Sequence, residues 1–350
     1  LVVLLIGIML LWWNEGNNVR NLQSVSEGIK NYTDVKSNKI DSKYDGKLVA
    51  TSGKITFEVP ASDSEFGVTS NSAVLKRTVE MYQWQEECET DDNDNKNCTY
   101  KKLWSEDIID SSEFEKSGHD NPTSMLYDSE KFYGYNVKLG AFEMTSNLLE
   151  KLSTKNQVKS LSEEVATSHG MSIDKVYYTN VSEEEPEIGN LRISFYKNDS
   201  QYVSVLAMQS DNHFKVYKTK KGKDFFNLYE EEYNGADMFQ IISKQNNFGK
   251  WLLRIVGILC VIMGIGSLFN PIENLANKVP ILGNIVGAAT GTVSFVLGLA
   301  ISLLVIAIAW FRFRPVLSII LIAVIIGLIL FLKMNGKEKA REEVKQSSND

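Results

Sequence analysis

Few groups in this chain could do chemistry. His119, within Gly118-His119-Asp120-Asn121-Pro122, has carboxylates nearby in sequence at Glu106, Asp107 and Asp120, and an imidazole so placed can serve as a general base. Gly118 and Asn121-Pro122 are turn formers, however, and a histidine among Asp and Asn in a turn is usually held by local hydrogen bonds. His169 and His213 stand alone, and no H-E-x-x-H, G-x-S-x-G or P-loop spacing occurs. The chain reads as non-enzymatic, with no cofactor and no metal site.

Cysteine chemistry is more informative. Cys88 and Cys98 bracket a polar stretch between strand-like runs at residues 78–85 and 99–109. This spacing predicts a hairpin whose long tip is closed by a disulfide, which belongs in an oxidising compartment; two free cysteines in a variable loop are the alternative. Asp91, Asn93 and Asn95 alternate as in the first half of an EF-hand loop, but Lys96 and Lys102 stand where that loop needs Gly and Glu, so a solvated tip is the better reading. Sequons at Asn31, Asn97, Asn180 and Asn198 are candidate glycosylation sites and fit a lumenal domain.

What must position these groups is set by hydrophobicity. Residues 251–269, 281–311 and 315–332 are apolar runs with almost no charge inside them. At about 1.5 Å per residue the shorter runs make roughly 27–29 Å, close to the ~30 Å hydrocarbon core. Run 281–311 is too long for an upright span and must tilt, break or start outside the bilayer. It carries Gly283, Gly287 and Gly291 at four-residue spacing, followed by Ser294, Gly298 and Ser302 at the same spacing, a small-residue face suited to helix packing or self-association. Arg254, one turn inside Trp251, is placed to snorkel to the interface, and Cys260 is an apolar filler.

Residues 1–13 are uninterrupted apolar residues ending in Trp12-Trp13, and read as the end of a first transmembrane helix whose beginning is missing. The expected organisation is a multi-pass membrane protein with four transmembrane helices and a large α+β, β-rich lumenal domain inserted between the first and second. Its boundaries fall at 1–13 (truncated helix), 14–250 (domain), 251–332 (three-helix membrane region) and 333–350 (charged cytoplasmic tail, read as a short solvated segment). The five bases of that tail place it on the cytoplasmic side, against two at Arg312 and Arg314. Residues 251–350 hold 9 basic and 5 acidic groups and 1–13 none, so a chain of net −7 leaves −11 on residues 14–250. A domain this acidic does not bind nucleic acid or anionic lipid through a broad electrostatic surface.

Within the domain, strands are expected at residues 48–59, 73–85, 137–142, 191–196, 202–208 and 213–217, and helices at 21–32, 145–152 and 237–245. The last helix could run on into the membrane. In Leu191-Arg192-Ile193-Ser194-Phe195 apolar and polar residues alternate, the signature of a half-buried strand. Tyr82 and Trp84 alternate on another strand and read as core.

Val79-Glu80-Met81-Tyr82-Gln83-Trp84, Gly118-His119-Asp120-Asn121-Pro122 followed by Met125, and Gly189 to Phe195 carry a resemblance. With Asn14-Glu15-Gly16, Asp45 to Val49 and Arg314-Pro315 in the same order, they are similar to the LUMA family, transmembrane protein 43. The resemblance spans essentially the whole chain. It implies a four-span protein of the endoplasmic reticulum and inner nuclear membrane, with a lumenal domain, cytoplasmic or nucleoplasmic termini, self-association, and links to nuclear-envelope proteins such as emerin and lamins. The function expected is a self-associating membrane scaffold in the lipid bilayer. A channel or transport modulator is the alternative, and a membrane hydrolase using His119 the weakest reading.

Overall fold

The computed structural model describes residues 1–91, 96–181, 185–244, 247–276, 282–311 and 315–347; side chains are described except at 247–248, 269–276, 282–290, 331–332 and 334–347. Two compact units emerge, a domain of residues 31–217 and 224–238 and a helical unit of residues 1–30, 218–223 and 239–350.

The domain is built on β1 (Leu48–Thr56), β2 (Val74–Thr90), β3 (Lys96–Ser105), β4 (Glu130–Tyr133), β5 (Lys138–Leu139), β6 (Phe142–Glu143), β7 (Leu191–Lys197), β8 (Tyr202–Ser210) and β9 (His213–Lys215). β1 pairs with β5, β5 with β6, β6 with β9, β9 with β8, and β8 returns to β1. These pairings close into a small ring around Val49, Leu139, Phe142, Val205, Ala207 and Phe214. Sequence patterning reads 137–142 as one strand; the chain instead turns at Gly140 (φ 61°), where a Cβ would lie 2.3 Å from the Ser37 carbonyl oxygen. Only glycine fits that turn.

The second sheet is organised by β2. Its first half pairs with β7 on one edge and β4 on the other, and its second half pairs with β3. Leu191, Ile193 and Phe195 face inward and pack with Phe66, Val79, Met81 and Tyr178. Near the end of β2, Cys88 faces Cys98 of β3 across the ladder and the two are disulfide-bonded.

In the helical unit, α1 (Val2–Asn31), α2 (Asn247–Ala276), α3 (Leu282–Trp310) and α4 (Pro315–Ser347) follow in chain order. By length and composition, Val2–Asn31, Gly291–Trp310 and the apolar stretch within Gly235–Leu268 can each cross a bilayer, and Pro315–Leu330 is a shorter apolar helix. α1 does not end at Trp13, because no proline interrupts the polar stretch that follows. α4 continues past Leu332 through the tail expected to be a solvated segment; its run of Lys, Glu and Arg from Lys337 to Lys345 favours helix. Whether the helix Gly235–Lys244 runs on into α2 lies outside the described residues.

Glycine sets how closely these helices approach. A Cβ at Gly264 would lie 2.5 Å from Leu4 Cα, at Gly257 2.7 Å from Leu11 Cγ, and at Gly7 2.8 Å from the Val261 nitrogen. α1 and α2 are therefore antiparallel and nearly in backbone contact, the packing lipid-embedded helices favour when side chains are small. Gly298 does the same on α3, where a Cβ would lie 2.7 Å from Ile262 Cα.

Candidate functional site

The three motif stretches that are remote in sequence meet on β2. Tyr82 donates its N–H to the Asn190 carbonyl and accepts the Gly189 N–H, so the left-handed Gly189 (φ 92°) lies directly against the strand. Glu80 holds Arg192 through two hydrogen bonds of 2.6 and 2.8 Å, and the guanidinium lies 4.7 Å from the Trp104 ring centre and 5.4 Å from that of Tyr177. A cleft of about 550 Å³ opens there, lined in part by Trp104, Lys175, Tyr177 and Arg192.

Two side-chain amides act as substitute backbone. The Gln83 amide, fully buried, donates to the Asp107 carbonyl and accepts the Ile109 N–H, both at 2.9 Å. Asn121 accepts the Trp84 N–H at 2.7 Å and donates to the Trp84 carbonyl at 2.9 Å and the Ile109 carbonyl at 3.2 Å. Together they pin residues 107–121 onto β2. Each amide satisfies donors and acceptors that would otherwise be stranded at the strand edge. Asn121→Ala should therefore destabilise the domain by about 1–3 kcal/mol, read by chemical denaturation. Unchanged stability would sink the clamp.

His119 is placed by the same loop. Its ring stacks on Tyr100 at 3.9 Å, meets Trp84 edge-on at 4.6 Å, and brings Nδ1 within 3.4 Å of the Lys116 carbonyl. Glu106, expected beside it, is instead bound to Lys76 at 3.2 Å. A carboxylate that does feel His119 is Glu86, which accepts the Tyr100 hydroxyl and the Glu115 N–H; the Tyr100 bond chiefly holds the Glu86 carboxyl below the usual range. The imidazole is an aromatic-clamped turn residue. Tyr82 and Trp84 correct a second expectation: they are half-buried on the outer face, while Met81 and Gln83 point inward. Aromatic side chains here cover a loop rather than fill the core.

Of the sequons, Asn31, Asn97 and Asn180 are exposed. Asn198 is a correction: it is buried, and its amide nitrogen donates to the Ser153 carbonyl and to Glu230. A sugar there would have to replace those bonds inside the fold. Asn93 and Asn95 of the hairpin tip lie outside the described residues.

In the helical unit, Glu15 of α1 is fully buried. Both its oxygens receive Arg254 of α2, at 2.6 and 2.7 Å, and Oε2 also accepts the Trp310 indole N–H of α3 at 2.6 Å. Asn14 adds a bond to the Lys250 carbonyl at 3.2 Å, and Arg254 lies 4.7 Å from the Trp251 ring centre. Arg254 thus turns inward to an acid rather than out to solvent. It closes a three-helix ion pair. Sequence reasoning passed over Glu15, although a lone base and a lone acid at the ends of apolar runs are the signal for such a pair. Of the small-residue face, Ser294 is buried and Gly298 abuts α2, whereas among the described residues nothing lies within 4 Å of a Cβ at Gly291. The surroundings of Gly283 and Gly287 lie outside the described residues.

Helices of crossing length joined to a large β-rich domain define an integral membrane protein. The family model described as Transmembrane protein 43 matches residues 81–315, and the chain belongs to that family. Among similar proteins, human transmembrane protein 43 is 26% identical over 364 residues, covering 98% of this chain and 90% of its own length. The mouse protein of that name is 26% identical over 339 residues (90% and 84%), and the Drosophila melanogaster transmembrane protein 43 homolog 25% over 326 (88% and 86%). These relatives carry no enzyme name, and no solved structure matches the chain.

Proposed function

We propose that this protein is a non-enzymatic, self-associating scaffold of the endoplasmic reticulum and inner nuclear membrane, with four spans, a lumenal domain and both termini cytoplasmic or nucleoplasmic. One observation carries the reading. The polar residues of the motif stretches, Glu80, Gln83, Asn121 and Arg192, are engaged in holding the domain together, and His119 is packed against the Tyr100 and Trp84 rings. A surface so built presents shape to partners. A disulfide in the domain supports the lumenal side. Nuclear-envelope proteins of the emerin and lamin kind are the partners implied by the resemblance.

Self-association is assigned to α3. Among the described residues, nothing lies within 4 Å of a Cβ at Gly291, and this supports reading that face as the contact with a second copy. The test is the mass of the full chain in mild detergent, for the parent and for Gly287→Leu with Gly291→Leu. An oligomer that falls to monomer is the expected result; a parent that is already monomeric overturns self-association.

A further inference from the structure

Although residues 14–250 are acidic as a whole, one basic segment departs from the rest. Lys218-Thr219-Lys220-Lys221-Gly222-Lys223 carries four lysines in six residues, and this short loop belongs to the helical unit rather than to the domain from which it emerges. It is built as a rigid turn. Thr219 is buried; its hydroxyl donates to the Lys223 carbonyl at 2.7 Å and accepts the Lys223 N–H at 3.1 Å, and Gly222 takes the left-handed conformation (φ 88°). A further bond of 2.9 Å joins the Thr219 hydroxyl to that of Ser24, itself fully buried on α1. Lys218, Lys220 and Lys221 project exposed from this tether.

The position of the loop relates it to the membrane surface. Trp12, Trp13 and Trp251 are exposed aromatics at the ends of apolar runs, the usual mark of the interface. Lys250 stands immediately before Trp251, level with Asn14 through the Asn14 bond to its carbonyl. Ser24 lies roughly 16 Å further along α1 than Trp13. Loop and helix start therefore bracket the headgroup layer. Lys223 and Lys250 repel each other across it: burial, and after it the Lys250 charge, lower the Lys223 ammonium below the ordinary lysine range. Arg20 adds a base one turn before Ser24. Among the described residues Glu27 meets the loop, its oxygens accepting the Lys220 N–H at 3.3 and 3.2 Å, while Glu15 is neutralised by Arg254.

We propose that the loop Lys218–Lys223, with Lys250 and Arg20, is a binding site for the phosphate headgroup of an anionic phospholipid in the leaflet at the Trp13 and Trp251 end of α1 and α2. It fixes the height of the helical unit relative to the bilayer. The assignment does not depend on the scaffold reading; it requires only that α1 and α2 are membrane-embedded. Basic residues near a membrane surface each attract anionic lipid, and together they select it over zwitterionic lipid.

The full chain in mild detergent, offered equal amounts of phosphatidylserine and phosphatidylcholine, is expected to retain phosphatidylserine by native mass spectrometry. The triple variant Lys218→Gln, Lys220→Gln, Lys221→Gln should lose that preference by roughly a hundredfold. The same change of charge at Lys36, Lys39 and Lys54 in the domain should leave it intact. At about 1 M salt, where the Debye length is ~3 Å, the parent should lose its preference too, a reading that holds even if the triple variant misfolds. Equal retention of both lipids by the parent, a preference that survives high salt, or an unchanged triple variant overturns the site. Displacement of phosphatidylserine by equimolar inorganic phosphate would reassign it to soluble anions and overturn the lipid.

Discussion

Glu15→Ala is expected to destabilise the helical unit by about 3–5 kcal/mol, the cost of leaving one member of a buried ion pair uncompensated. Arg254 would keep its charge among apolar helices after losing two hydrogen bonds of 2.6 and 2.7 Å, and the Trp310 indole would lose its acceptor. A desolvated arginine left without its acid has two ways out, drawing water in or shifting α2, and both disturb the close glycine contacts with α1. Arg254→Ala should cost about as much for the mirror-image reason. The double change Glu15→Leu with Arg254→Leu removes both charges and should recover most of the loss. The measurement is reversible unfolding of the full chain in bicelles. Singles within about 0.5 kcal/mol of the parent, the range of ordinary surface changes, or a double variant as unstable as either single, would show that the pair does not hold the helices.

A second effect of similar size is expected in the domain. Arg77, 4% exposed, meets Asp63, 1% exposed, at 2.8 Å. The same guanidinium reaches Glu65 at 2.6 Å and the Asp128 carbonyl at 2.9 Å, and lies between the rings of Phe66 and Phe132, 5.2 and 5.5 Å from their centres. Asp63 in turn caps the N–H groups of Glu65 and Phe66. Arg77→Leu strands a carboxylate in that core and should cost about 3–5 kcal/mol. Arg77→Lys keeps the charge but cannot fork to three acceptors, and should lose part of it. Because β4 and β7 pair with β2 on either side of Arg77, hydrogen exchange of residues 74–81 and 191–197 should rise together. Exchange confined to β4 would mean that the pair serves only the edge.

Part of this architecture was legible because it is local. A strand buried on one face declares itself by alternation, as Leu191, Ile193 and Phe195 do, and a helix in lipid declares itself by the absence of charge. Other features misled for a physical reason. Tyr82 and Trp84 alternate as core residues would, yet the strand is turned so that Met81 and Gln83 face inward, and which face is buried depends on what the sheet packs against. His119 looked chemical because acids are near it in sequence, but the loop folds it onto Tyr100 and Trp84.

By itself the sequence determined the apolar runs, the large domain between them and the resemblance that the family match makes plain, since hydropathy, periodicity and motif order are properties of neighbouring residues. Only the tertiary structure decided partners. That Glu15 meets Arg254 across 239 positions, or that Asn121 substitutes for backbone beside Trp84, follows from which elements pack together. No local pattern encodes that choice, because the energy that drives burial is non-directional and the polar groups pair with whatever the packing brings within reach.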